Sequence, residues 1–112
     1  MPRKHTPISA AVIDAVEILG AQIAQGRRGR RWTAKELAGR AGITVDTLRN
    51  IEKGSTSASL GTVLELAYLV GIPLYNTDPT ELSDIRRRAV ERLALLPQRI
   101  RASQSDEVDD DF

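Results

Sequence analysis

Four side chains near the middle of the chain have the types and spacing for reading base edges: Val45, Asp46, Arg49 and Asn50. Residues three and four apart on a helix share a face, so the set presents one surface. The planar fork of Arg49 can donate two hydrogen bonds to guanine O6 and N7. Asn50 can pair with adenine in the same two-point manner, or bind phosphate. Val45 can touch a thymine methyl, and Asp46 can accept from cytosine N4. Asp46 has an alternative role, holding Arg49 across one helical turn. A second group has the chemistry of phosphate contact: Thr33, Lys35, Thr44, Thr47, Lys53, Ser55 and Thr56. Thr33 and Thr44 are expected at helix starts, where free amides and the helix dipole favour anions. The plainer alternative for all of these is an exposed helical face with no partner.

Other chemistries are poorly supplied. There is no cysteine and one histidine, His5. That excludes thiolate catalysis, cysteine-based zinc sites and a histidine pair. No nucleophile–base pair is visible, so the expectation is a protein that is not an enzyme and needs no metal or cofactor.

The elements that must position these residues read as helices with clear start and stop signals. The segment 33–41 opens with Thr33 and Glu36 at the spacing of a capping box, carries Leu37, Ala38 and Ala41 inward, and stops at Gly42. Thr44 caps the next helix, whose inward residues are Leu48 and Ile51 and whose end is Gly54. The two are joined by Ala41-Gly42-Ile43-Thr44, a short glycine turn of the helix-turn-helix kind. With Leu48 and Ile51 turned inward, Val45, Asp46, Arg49 and Asn50 are expected to point outward. A helix of about 12 Å diameter fits the major groove.

Around this pair, a first helix is expected from about Pro7 to Gln25, capped by Thr6 and terminated by Gly26. Val12, Val16, Leu19 and Ile23 form its stripe. Arg27-Arg28-Gly29-Arg30-Arg31 then reads as a cationic connection that either adds long-range attraction to DNA or is a solvated loop. Trp32, just before a cap, reads as a core anchor or hydrophobic staple rather than a base stacker. A fourth helix, capped by Ser59, is expected to bury Leu60, Val63, Leu64, Ala67 and Val70 before Gly71 and Pro73 end it. A fifth runs from Asp78-Pro79 to about Leu96, with Leu82, Ile85, Ala89, Leu93 and Leu96 as a seam. That seam either joins two copies or closes the monomer core.

The 112 residues point to one domain with tails. Residues 1–101 carry all 16 Lys and Arg and 10 of the 15 acids, a net charge of +6; residues 102–112 carry −5. No apolar run has the length to span a membrane, and the N-terminus does not read as a signal peptide, so a cytoplasmic location is expected. The expected organisation is a flexible arm at 1–6, a DNA-binding domain at 7–77, a C-terminal helix and exit segment at 78–101, and an acidic disordered tail at 102–112.

Positions 33–54 and 59–72 closely resemble the Xre/Cro-repressor-type helix-turn-helix family of prokaryotic regulators. The matched features are Thr33, Glu36-Leu37-Ala38, Gly42, Thr44, Leu48, Ile51-Glu52, Gly54 and the run Leu60, Leu64, Leu66-Ala67, Gly71. The resemblance implies an all-α, five-helix lambda-repressor-like domain that binds a double-stranded DNA operator as a homodimer. It also implies an ion pair between Arg27 and Glu52. The family often carries Gln where this chain has Ala34, a side chain that anchors the helix to phosphate, so here amides or Lys35 must take over. Leu95–Arg101 and the ending Glu107–Phe112 are similar to HipB-like antitoxins. That similarity implies a repressor of its own operon with a HipA-like kinase toxin as partner. The tail 102–112 reads as a solubilising end, a toxin-binding or protease-recognised segment, or an acidic decoy for the basic face; because a solubilising tail gains nothing from an aromatic, Phe112 is expected to dock on a partner. The alternatives are a stand-alone Xre-type regulator, or an interaction adaptor whose helix-turn-helix no longer binds DNA.

Overall fold

A computed structural model describes residues 7–100. The arm expected at 1–6, with Thr6 as the expected cap, and the acidic tail with Phe112 lie outside the described residues. Among the described residues there are five helices and no strand: α1 Ala10–Gly29, α2 Ala34–Ala41, α3 Val45–Glu52, α4 Leu60–Leu69 and α5 Pro79–Ala94. An isolated bridge between Leu74 and Thr77 closes a tight turn. None of these helices is long and apolar enough to cross a membrane. The chain divides into two compact units, one through Asp78 and one from Pro79.

Local chemistry sets most helix ends in the first unit. At α2, the Glu36 amide donates to Thr33 Oγ1 at 3.0 Å and the Thr33 amide donates to Glu36 Oε1 at 2.8 Å. These reciprocal bonds satisfy two amides that the helix itself leaves without partners. Gly42 ends α2 at φ 71°, a left-handed conformation that carries no penalty for glycine. The Ile43 amide then reaches back to the Ala38 carbonyl at 3.0 Å, so the chain turns into α3 within three residues.

α1 departs from the sequence expectation at both ends. It starts at Ala10 after Ser9 and leaves Pro7 outside. At its other end it continues through Gly26 to Gly29, so Arg27 and Arg28 belong to its last turn and are not part of a loop. Gly26 serves a different purpose, because a Cβ there would lie 2.8 Å from the Val70 Cβ. It lets α1 approach the end of α4. The terminator is Arg31, at φ 59°, whose neighbour Trp32 sends its amide back to the Arg27 carbonyl at 3.1 Å. A non-glycine residue in this region carries strain of about 1 kcal/mol.

The core is one cluster: Ile23, Leu37, Ala38, Leu48, Ile51, Leu66, Ala67 and Val70 are buried. α1 crosses α3 so closely at Gly20 that a Cβ would collide with the Ile51 and Glu52 carbonyls. Two stripe assignments need correction. Leu60 is 73% exposed, and Leu66 is the fully buried leucine of α4. Val12, on the outer end of α1, is 49% exposed. Both misplaced residues sit at the first turn of their helices, where a helix projects past the core it packs on.

The second unit holds α5, which has no buried residue. Leu82 and Ile85 are half-buried, while Ala89, Leu93 and Leu96 are exposed, and Leu96 lies past the helix end. A seam running unbroken through all five residues and buried within one chain is therefore not observed.

Candidate nucleic-acid interface

α3 is only eight residues long, a length at which an isolated helix is not stable in water. Three devices hold it. Thr44 Oγ1 accepts the Thr47 amide at 3.1 Å. Leu48 and Ile51, at 0% and 3% exposure, anchor its inner face. The third is an ion pair across to α1: Arg27 Nε and Nη2 donate to the two Glu52 carboxylate oxygens at 2.8 and 3.1 Å. The remaining Arg27 nitrogen, Nη1, donates to the Trp32 carbonyl at 3.0 Å. One guanidinium thus ties together the last turn of α1, the loop after it and the end of α3.

Hydrogen bonding to Glu52 raises the Arg27 pKa, against a smaller opposing push from burial. So long as Glu52 is a carboxylate, Arg27's contribution is complete below the ordinary arginine range and is lost as pH rises through the elevated value. Both side chains of the pair are 11% exposed. Removing one partner of so secluded a pair costs several kcal/mol, because the other charge is left stranded.

With the inner face occupied, Asp46, Thr47, Arg49, Asn50 and Lys53 are exposed. Val45 is different: it is half-buried and packs against the core. Its place at the first turn, next to the tight α2–α3 connection, turns it partly inward and corrects the expectation of a fully outward residue. Asp46 and Arg49 form no ion pair among the described residues, so both heads are open to other partners.

The hydroxyls are arranged with donors to spare. Thr44 O–H donates to Thr47 Oγ1 at 2.9 Å, which leaves the Thr47 hydroxyl hydrogen available. Thr33 Oγ1 accepts within its cap and keeps its own hydrogen. Ser55 Oγ accepts the Ser57 amide at 3.3 Å and shares a bond with Ser57 Oγ at 3.1 Å. Lys35 and Thr56 are exposed. Trp32 is half-buried against the core, its ring covered by Arg40 at 4.2 Å and Arg30 at 5.4 Å, an arrangement of cation–π type. It packs as an anchor, and its neighbours leave it unsuited to base stacking.

Arg28, expected from sequence only as part of a cationic cluster attracting DNA at long range or as a solvated loop residue, lies beside this surface. It shares the wall of a cavity of about 580 Å³ with Arg49, Lys53 and Ala34. Reading Gly26 as a terminator placed Arg28 in a loop. The usable signal was that an isolated glycine weakens a helix by only about 1 kcal/mol and does not by itself stop one.

A family model described as a helix-turn-helix domain matches residues 18–85 of this chain. No curated protein matches it, and no solved structure does.

Proposed function

Because the chain belongs to the helix-turn-helix domain family, we propose that it is a sequence-specific DNA-binding transcriptional repressor whose α3 enters the major groove of a double-stranded operator. The observation that carries this reading is the exposure of Arg49 and Asn50 on a helix held from behind by Leu48, Ile51 and the Arg27–Glu52 pair. Base readout needs side chains held to within a fraction of an ångström on a rigid element, and this helix is anchored on its whole inner face. In this reading Arg49 takes guanine, Asn50 adenine, Asp46 a cytosine amino group, and the outer part of Val45 a thymine methyl. Thr33, Lys35, Thr44, Thr47, Lys53, Ser55 and Thr56 hold the phosphates on either side.

A single unit of this kind covers little DNA, so the working form is a two-fold dimer on half-sites one helical turn apart. The exposed residues Leu93 and Leu96, with Leu82, Ile85 and Ala89, are the proposed interface. A HipB-like antitoxin role, with a HipA-like kinase toxin as partner and Phe112 docking on it, is supported by the sequence resemblance at 95–101 and 107–112.

Footprinting of the purified protein on its own upstream region tests the central reading. Two protected half-sites about one helical turn apart are expected. Absence of protection, together with no salt-dependent affinity for any duplex, overturns it. Arg49→Ala should weaken operator binding by roughly tenfold to a hundredfold and leave random duplex unaffected. Equal loss on both removes Arg49 as a base reader. Co-purification with a neighbouring kinase-type protein, lost on deleting 102–112, tests the antitoxin role.

A further inference from the structure

Two apolar faces are left bare, one on each compact unit. In the first unit a cavity of about 170 Å³ opens beside the crossing of α1 and α3, walled by Val16, Leu19, Ile51, Ala58, Leu60 and Val63. Val12 lies one turn earlier on the same side of α1, and both it and Leu60 are exposed. An apolar cavity of about 150 Å³ admits a benzene-sized group, so this one has room for a single leucine side chain.

The surroundings of this groove are acidic. Segments 8–20 and 54–72 carry Asp14, Glu17 and Glu65 and no Lys or Arg. Glu17 stands at the rim: a Cβ on Gly54 would come 2.6 Å from its Cγ, and Gly54 precedes Ser55 of the cavity wall. None of the three acids has an ion-pair partner among the described residues. Lys53, the next cation along the chain, lines the other cavity.

The second unit presents the complement. At 3.6 residues per turn, Leu82, Ile85, Ala89 and Leu93 share one side of α5, with Leu96 just past its end. Arg86 and Arg92 flank that seam, one on each side. Both are exposed and have no ion-pair partner among the described residues. Asp84 and Glu91 lie on the opposite side, where Arg87 meets them at 3.1 and 3.9 Å. Two α5 helices laid seam to seam would bring four unpaired arginines together. Like charges opposed across an interface are disfavoured, and opposite charges fix its register.

We propose that the groove on α1 is the seat of α5 from a second copy of this chain, with Leu93 filling the cavity and Arg92 turned toward Glu17. The inference rests on the reading of the α5 seam as the dimer interface and names the surface on which that seam docks. Each copy gives its α5 and receives the other, so the same contact is made twice about a two-fold axis. Reciprocity doubles the area that one helix seam contributes, toward the roughly 800 Å² per partner typical of a stable interface.

The chain has no cysteine, so single introduced thiols report the contact directly. Leu60→Cys and Leu93→Cys proteins, one of them carrying a mass tag, are mixed and oxidised. A disulfide joining one variant to the other is expected to outweigh Leu93→Cys joined to itself. Self-linked Leu93→Cys without the mixed disulfide overturns the groove as the seat and leaves the α5 seam as the dimer interface. Sedimentation equilibrium gives the energetic check. Leu60 is exposed in the single chain, so Leu60→Arg leaves the fold in place. It is expected to raise the dimer dissociation constant by about thirtyfold or more, as a central interface residue does. Leu60→Arg with wild-type association, where Leu93→Ala dissociates the dimer, overturns the proposal in the same way. Wild-type chain that stays monomeric at high micromolar concentration removes both the proposal and the dimer reading. A disulfide then formed within one chain carrying both Leu60→Cys and Leu93→Cys assigns the groove to that chain's own α5.

Discussion

α3 and α5 both carry arginines and apolar residues at helical spacing, yet they are held in opposite ways. α3 has eight residues and two of its side chains are essentially inaccessible. α5 has sixteen and buries none. The ion pair that ends α3 is 11% exposed on both sides, whereas Arg87 of α5 meets Asp84 at 3.1 Å with both side chains more than half exposed. Length therefore does not measure how firmly a helix is fixed. A short helix becomes rigid when caps, core and a secluded ion pair act on it together. A long one can form while Val90 and Leu93 remain 54% and 68% exposed. The first arrangement suits readout of a fixed target, and the second suits a surface that gains cover from another chain.

The contrast is sharpest in the leucines. Leu48→Ala should cost about 2–5 kcal/mol in urea denaturation, because a fully buried side chain leaves a cavity. Leu93→Ala should change the stability of dilute protein by less than about 0.5 kcal/mol and shift sedimentation toward monomer. Equal destabilisation by the two would show that α3 and α5 are held alike. Glu52→Ala should cost about 3 kcal/mol by stranding Arg27 in its secluded site. A loss as small as that of a surface pair would show that α3 is held by its leucines alone. Thr44→Ala should cost about 1 kcal/mol through the lost cap, with Thr44→Ser restoring most of it; thermal denaturation of both variants checks this. Arg87→Ala should sit at the bottom of the series, within about 0.5 kcal/mol of wild type.

Sequence reading was reliable where an element depends on its own few residues. The Thr33–Glu36 box, the Thr44 cap and the turn at Gly42 each involve groups three or four positions apart, and they appear as expected. The inward assignment of Leu48 and Ile51 follows from the same short spacing. Around the candidate site, that was enough to place Arg49, Asn50, Asp46 and Lys53 on an exposed face. The half-burial of Val45 was not legible, because it depends on how closely α3 packs behind its first turn. Arg28 was placed in a loop because α1 is terminated only at Arg31, in a left-handed conformation that its residue type does not announce.

What the chain determined on its own were its helix starts, its turns and the two faces of α3, because hydrogen bonds and apolar spacing over a few residues settle them. The close approach of α1 to the end of α4 depends on Gly26 lying against Val70, and the burial of Leu66 in place of Leu60 on where the core ends. The pairing of Arg27 with Glu52, though implied by a resemblance, is made physical only when α1 and α3 cross at Gly20. The cationic cavity beside Ala34 needed three helices in place before it existed. Such features depend on contacts between residues far apart in the chain, and the energy that selects them arises only after the elements have packed.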